Sequence, residues 1–423
     1  MIMNAIKKIF LMSGIAVLFM FQNNIFTSAE VTFFGDEVND ERDDHLAEQF
    51  QYGIQSSRVT SATTLTGSVS TATSMAVLST GLGLGSTASI QSNRYIRYQP
   101  ARQAYAIFSA RFTTGIAGAT QWMGCFDALD GFAVGYNGTT FSILYRNSVT
   151  GAVVNTTVAQ ASFNVDQLNG AGPSGLTLDP TKLNIFRIQY SWLGVTPIMF
   201  QIMNIGGTFV TFHMITQANV FNNPSLSIPQ LPMRAEVANA GIASTVTLAT
   251  AGWGAGIVDE SRSPANGRTF IVTNTLPSLT TAAGEVGLLV IQNPTTFGGI
   301  ANKIEAKICQ IGGGGTDING ISIRMRLLRN ATVTGTSFSS VSAGNSIMNV
   351  STAGTYTVGT GTQVILFPNT TYGNSTSVTY FNTQDNVIDI VILPGETLTI
   401  TAQALGSNTT APIIGIIGWD ERF

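Results

Sequence analysis

The stretch from Ile185 to Ile215 constrains this chain more than any other. Phe186, Ile188, Tyr190 and Trp192 alternate with Arg187, Gln189 and Ser191, and Ile198, Phe200 and Ile202 then interleave with Met199 and Gln201. Gly206-Gly207 leads into Val210, Phe212 and Met214, with Thr211 and His213 between them. A period of two throws successive side chains to opposite faces of a strand, so the pattern predicts an antiparallel meander with one buried face. In that pattern His213 falls on the outward side.

The same period recurs on both sides of the meander. Gly131–Tyr136 and Thr140–Tyr145 flank Asn137-Gly138, and Asn-Gly between alternating apolar runs is a strong hairpin signal. Further strands are expected at Tyr105–Ala110, Leu231–Val237 and Thr245–Ala249. Together they predict two packed antiparallel sheets over residues 56–258. A polar, turn-rich stretch, 259–268, reads as a hinge. Beyond it, over 269–423, Ile304–Ile308, Ile321–Leu327, Val387–Ile392 and Leu398–Ala402 read as strands of a second β domain. No helix-period segment of useful length follows Ala101. The fold class is all-β.

The N-terminal region is different in character. Lys7 and Lys8 precede an apolar run from Ile9 to Phe21, and Thr27-Ser28-Ala29 follows as a small-residue site. Residues 1–29 therefore read either as a signal peptide or as a retained membrane anchor using residues 9–26. Acidic residues crowd the next stretch (Asp36, Glu37, Asp40, Glu41, Asp43, Asp44 and Glu48), so residues 30–55 read as a solvated linker.

Charged residues make up 10% of the 423 positions, against about 25% in an average globular chain. Hydroxyls, amides and 44 glycines fill the polar positions. A net charge of −3 with scattered arginines excludes nucleic acid as a partner. Cys125 and Cys309 form no metal-ligand spacing and lie in different expected domains, so both read as free thiols. No cofactor motif is present: Gly312–Gly315 continues into Thr316-Asp317 rather than a lysine, and reads as a flexible loop.

Other candidates for chemistry have structural readings that explain them better. Asp127 and Asp130 beside Gly131 have calcium-ligand chemistry, but an Asp-Gly turn accounts for them. The acids of the β domains sit at turns and strand ends with no evident pair for glycoside hydrolysis. Trp122, Trp192, Trp253 and Trp419 read as core residues before sugar platforms. No catalytic residue and no metal site are assigned, and the chain reads as a non-enzyme. Seven N-x-S/T sequons, at Asn137, Asn155, Asn330, Asn349, Asn369, Asn374 and Asn408, would accept N-linked glycan if the chain is exported.

Several short runs carry a resemblance. They are Tyr136–Thr140, Leu168–Gly175, Tyr190–Val195 and Leu231–Glu236, and in the C-terminal part Leu328–Thr332 and Leu393–Ile400. The chain resembles virion structural proteins of tailed, often marine, phages and of large DNA viruses. That resemblance implies a concanavalin- or lectin-like sandwich followed by a jelly roll, displayed on a particle without an active site. The N-terminal apolar segment departs from the phage pattern and suits a virus with an internal membrane. The expectation is a capsid-associated or surface component that contacts other virion proteins. It would self-associate, with a trimer as the first expectation, and the distal domain would present a host-attachment face, for example to a glycan. The alternative is a secreted carbohydrate-binding adhesin; a polysaccharide depolymerase is the third reading.

Overall fold

The computed structural model describes residues 42–258, 268–280, 284–315, 322–367, 370–371, 377–382, 390–405 and 412–421. Residues 1–41, with the expected signal or anchor, and 259–267 of the expected hinge lie outside the described residues. So do Asn369, Asn374 and Asn408 and the first half of the expected strand Val387–Ile392. Among the described residues the only helical elements are two short 3-10 turns, Phe50–Tyr52 and Gln160–Ser162. No helix there is long and apolar enough to cross a membrane.

The first unit is a sandwich of a nine-stranded and a seven-stranded antiparallel sheet. The meander forms as its alternation requires: Asn184–Tyr190, Ile198–Met203 and Phe209–Ile215 pair in order at one edge of the larger sheet. Asn184–Tyr190 lies beside the long strand Gln103–Phe112. Along the other side of that strand Thr247–Thr250 and Gly252–Val258 pair in succession, the first leading on to Met75–Ser79 and Ser68–Ala72, the second to Arg42–Gln49. The seven-stranded sheet runs Val154–Ala159, Thr140–Asn147, Gly131–Asn137, Ala119–Phe126, Met233–Asn239, Thr87–Ser92, Val59–Thr64. Phe108, Phe132, Phe186, Phe200 and Tyr190 meet between the sheets, each at most 1% exposed.

Two expectations fail here. The acidic stretch is not all linker, because Arg42–Gln49 is a strand paired with Gly252–Val258. Leu46 and Phe50 are buried, and the Phe50 ring meets Trp253 edge-on at 5.0 Å. Two apolar anchors outweigh the neighbouring charges. His213, expected to face outward, is buried as well. A bulge opposite Phe200/Gln201 breaks the alternation, so Phe212 and His213 both turn inward. The His213 ring lies beside Phe163 and Phe200, its Nδ1 accepts the Asn164 N–H at 3.2 Å, and burial lowers its pKa below the ordinary value.

The second unit is a jelly roll. One sheet runs Arg268–Leu276, Ile413–Glu421, Ala306–Gly315, Ser377–Asn382; the facing sheet contains Glu285–Gln292, Thr397–Leu405, Ser322–Arg329 and Thr362–Leu366, in that order. Counted along the chain, the sheets read first-eighth-third-sixth and second-seventh-fourth-fifth, which is the double Greek key. The expected class, a lectin-like sandwich followed by a jelly roll, is therefore the class of the structure.

Within this unit, Gly312–Gly315 is not a loop. It ends the strand Ala306–Gly315 and pairs on both sides, with Ser377–Tyr380 and with Ile413–Ile416. A methyl group at Gly313 would run into the Met325 side chain of the opposed sheet. Gly313 thus lets the two sheets approach closely.

Candidate functional site

Outward-facing residues of the seven-stranded sheet form the candidate site. Along Met233–Asn239, Met233, Ala235 and Val237 point into the core, which turns Arg234, Glu236 and Ala238 to the far face. Thr87, Ser89 and Gln91 project from the next strand, and Thr60, Ala62 and Thr64 from the edge strand. In-register pairing places Thr60, Gln91 and Arg234 in one row and Ala62, Ser89, Glu236 and Trp122 in the next.

Gln91, Arg234 and Glu236 join Arg146 and Asn155 of the strands beyond in a polar chain across the sheet. Arg234 donates from Nη1 to Gln91 Oε1 at 2.8 Å and from Nε to Glu236 Oε2 at 2.9 Å. Arg146 lies 3.8 Å from Glu236 Oε1 and donates from Nε to Asn155 Oδ1 at 2.8 Å. Both guanidinium groups sit over the Phe126 ring, at 5.4 and 5.9 Å. Phe126, Trp122, Ala133 and Leu144 make a small second apolar cluster on this face, each at most 4% exposed.

The jelly roll closes one end of this face. Lys303 inserts between the units and donates to Asp127 Oδ2 at 2.6 Å and to the Gln230 carbonyl at 3.1 Å, beside the Tyr95 ring. Arg94 holds both carboxylate oxygens of Glu305 at 2.9–3.2 Å. Between the sheet and this wall runs a groove of about 490 Å³. Thr60, Gln91, Tyr95 and Arg234 line one side, and Leu393-Pro394 with Glu396 the other. Around the edge strand it adjoins a recess of about 500 Å³ that contains Arg58, Glu48, Arg329 and Trp253. Both are the size of small-ligand sites.

Charge in the groove is balanced pair by pair. Arg234 faces Glu236, Arg58 lies 2.9 Å from Glu48, Arg94 holds Glu305, and Arg329 holds Glu396. Among the described residues Glu236 is the only carboxylate projecting from the strands of this face. A glycosidase needs a second carboxyl about 5–9 Å away on the same cleft. Asp127, next to Phe126 at the end of its strand, is committed elsewhere: its Oδ1 accepts the Leu129 and Asp130 N–H groups and its Oδ2 holds Lys303. Burial acts to raise the Asp127 pKa, but the Lys303 charge and these hydrogen bonds outweigh it and hold it below the usual value.

The other sequence candidates are scattered. Asp130 is fully buried and accepts from the backbone and hydroxyls of Ser148 and Ser227, so the Asp127–Asp130 pair pins loops together rather than facing a ligand. No cluster of metal-ligating side chains occurs among the described residues. Asn137, Asn155 and Asn330 are exposed, whereas Asn349 is half-buried in a strand. Cys125 and Cys309 are free and buried, and burial pushes their thiols up to about 12 and about 11. Trp419 is fully buried, its indole N–H on Glu421 at 2.9 Å.

Sequence alone does not single out Gln91, Arg146, Arg234 or Glu236. The alternation in Met233–Val237 puts Arg234 and Glu236 on one face, but their partner Gln91 lies 143 residues away and is found only through the strand register.

No protein-family model and no curated protein matches this chain. Solved structures do. A legume lectin-like domain from Entamoeba histolytica is 13% identical over 51% of this chain and 98% of its own, with a TM-score of 0.31. Peanut lectin with a bound nine-residue peptide is 11% identical over 51% and 99%, TM-score 0.30. A family 16 glycosyl hydrolase from Mycobacterium smegmatis is 12% identical over 50% and 100%, TM-score 0.33. Likeness at this level transfers no activity.

Proposed function

We propose that the protein is a non-enzymatic carbohydrate-binding surface protein, with the groove between the seven-stranded sheet and the jelly roll as its glycan site. One observation carries this reading: the groove presents amides, hydroxyls, a tyrosine ring and charge-balanced Arg–Glu pairs. Such a lining offers paired donors and acceptors to sugar hydroxyls and an aromatic wall to a sugar face. Because each arginine lining the groove and the adjoining recess has a carboxylate partner, the ligand is a neutral glycan rather than an acidic one. Glu236 stands without a second carboxyl on its face, which favours binding over cleavage.

The test is a glycan array probed with the full chain, followed by calorimetry on the best neutral oligosaccharide. Gln91→Ala and Arg234→Ala should each weaken binding at least tenfold, without product release from the wild type and without a change in Tm. Full affinity in both variants would overturn the assignment of the site.

A second reading is favoured by the strand order of the C-terminal unit, an arrangement common in viral capsid proteins. In it the jelly roll self-associates, as a trimer, and displays the groove on a virus particle. Sedimentation of the full chain tests the oligomer, and co-purification with particles from the natural source tests the location.

A further inference from the structure

The end of the first sandwich remote from the jelly roll has an unusual surface. Val59 pairs with Ser92 at the groove end of the sheet, and Thr64 pairs with Thr87 at the opposite end. Just beyond Thr64 stands Leu65, and just before Thr87 runs Gly81-Leu82-Gly83-Leu84-Gly85. Leu65, Leu82 and Leu84 are 75%, 65% and 60% exposed. No charged residue occurs anywhere between Arg58 and Arg94.

These leucines are held outward by a rigid frame. Thr66 Oγ1 donates to the Thr80 carbonyl at 3.0 Å and accepts the Gly83 N–H at 2.7 Å, while the Thr66 N–H reaches Ser86 Oγ at 3.1 Å. The fully sequestered Asn239 accepts the Ser86 N–H at 2.8 Å and ties the loop to the neighbouring strand end. At Gly81 and Gly83 a Cβ would stand 2.6 Å from Thr66 O and from Ser86 Oγ, so alternate positions must be glycine and the leucines between them point away. Leu65 sits at φ 53°, a left-handed conformation that strains a leucine, in the turn closed by the Gly67 N–H on the Thr64 carbonyl at 2.9 Å. Apolar side chains on protruding, well-ordered tips are suited to a fluid apolar layer. Three leucines fall far short of the roughly 800 Å² per partner of a standard protein interface.

We propose that Leu65, Leu82 and Leu84 insert into the interfacial layer of a lipid bilayer. With no cation in residues 59–93, attraction to anionic headgroups is not needed, and neutral phosphatidylcholine membranes suffice. The N-terminal apolar stretch can bind vesicles on its own account, so the experiment reads the tip itself. A Leu84→Trp variant of the full chain is mixed with phosphatidylcholine vesicles carrying brominated acyl chains, and the wild-type emission is subtracted. The added tryptophan should shift to the blue and be quenched, equally at low and high salt, and adding Leu65→Asn and Leu82→Ser should abolish both effects. An unquenched, water-like tryptophan on vesicle-bound protein would overturn the proposal. So would quenching that requires anionic lipid, or tip-dependent self-association in the absence of vesicles.

Discussion

The two sandwiches solve the same packing problem with different materials. Between its sheets the first unit is aromatic: Phe132 lies 5.4 Å from Tyr190, 5.8 Å from Tyr145 and 6.4 Å from Phe200, and Phe141 links Phe112 to Phe186. The jelly roll packs isoleucine, leucine and alanine around Trp419. Glu285, 5% exposed, is clasped by Arg326 and Thr401, and Glu421, fully buried, accepts from Trp419, Ser346 and the Ile347 N–H. A ring contact is indifferent to protons. A buried carboxylate is not, and the first unit holds its own in Asp130 and Asp166.

The largest effect is expected in the aromatic core. Phe132→Ala should cost about 4 kcal/mol and lower the first unit's calorimetric transition while leaving the jelly roll's in place. If both transitions fall together, the units are one cooperative body and the comparison breaks. Next comes the latch between them. Asp127→Ala strands the Lys303 ammonium, whose side chain is 5% exposed, and should cost about 3 kcal/mol. Small-angle scattering should then report a longer molecule, and an unchanged envelope would remove Lys303 from that role.

A smaller effect concerns acid. Burial acts to raise the Glu285 pKa, but hydrogen bonds from Arg326 and Thr401 and the charges of Arg326 and Arg324 outweigh it, so in the folded state it lies below the ordinary 4.5. A group depressed on folding stabilises above its unfolded pKa and loses that contribution as pH falls through the folded value. The jelly roll should therefore weaken below about pH 4.5, and Glu285→Gln, costing about 2 kcal/mol at neutral pH, should flatten that dependence. Urea melts at two pH values check it, and a slope that persists in Glu285→Gln would assign the sensitivity to another acid. Smallest of all, Gly313→Ala should cost about 1 kcal/mol as Met325 shifts to make room, seen as a slight fall in the jelly-roll Tm alone.

Strand identity was legible wherever alternation or turn chemistry is local. Ile185–Ile215 and the Asn137-Gly138 hairpin needed only neighbouring residues, and the described Gly207 and Gly138 carry the positive φ such turns require. What escaped depends on distant partners. Leu46 and Phe50 identify a strand only once Trp253 stands beside them, and His213 turns inward because of a bulge that no periodicity announces. Four glycines read as a loop until Met325 fills the space above one of them, Gly313. The candidate groove was less legible still, since its walls come from two units and its rows from strands far apart in the chain.

One shared feature of the two units has a mechanical consequence. Each pairs its first strand with its last, Arg42 opposite Val258 in one and Arg268 opposite Glu421 in the other. The chain thus enters and leaves each sandwich at a single corner, along antiparallel neighbours. Tension drawn through those ends loads the ladder one hydrogen bond after another, in the manner of a zip, rather than shearing many at once. Each unit would peel open at modest force and pay out slack, a yielding element in any assembly that is pulled.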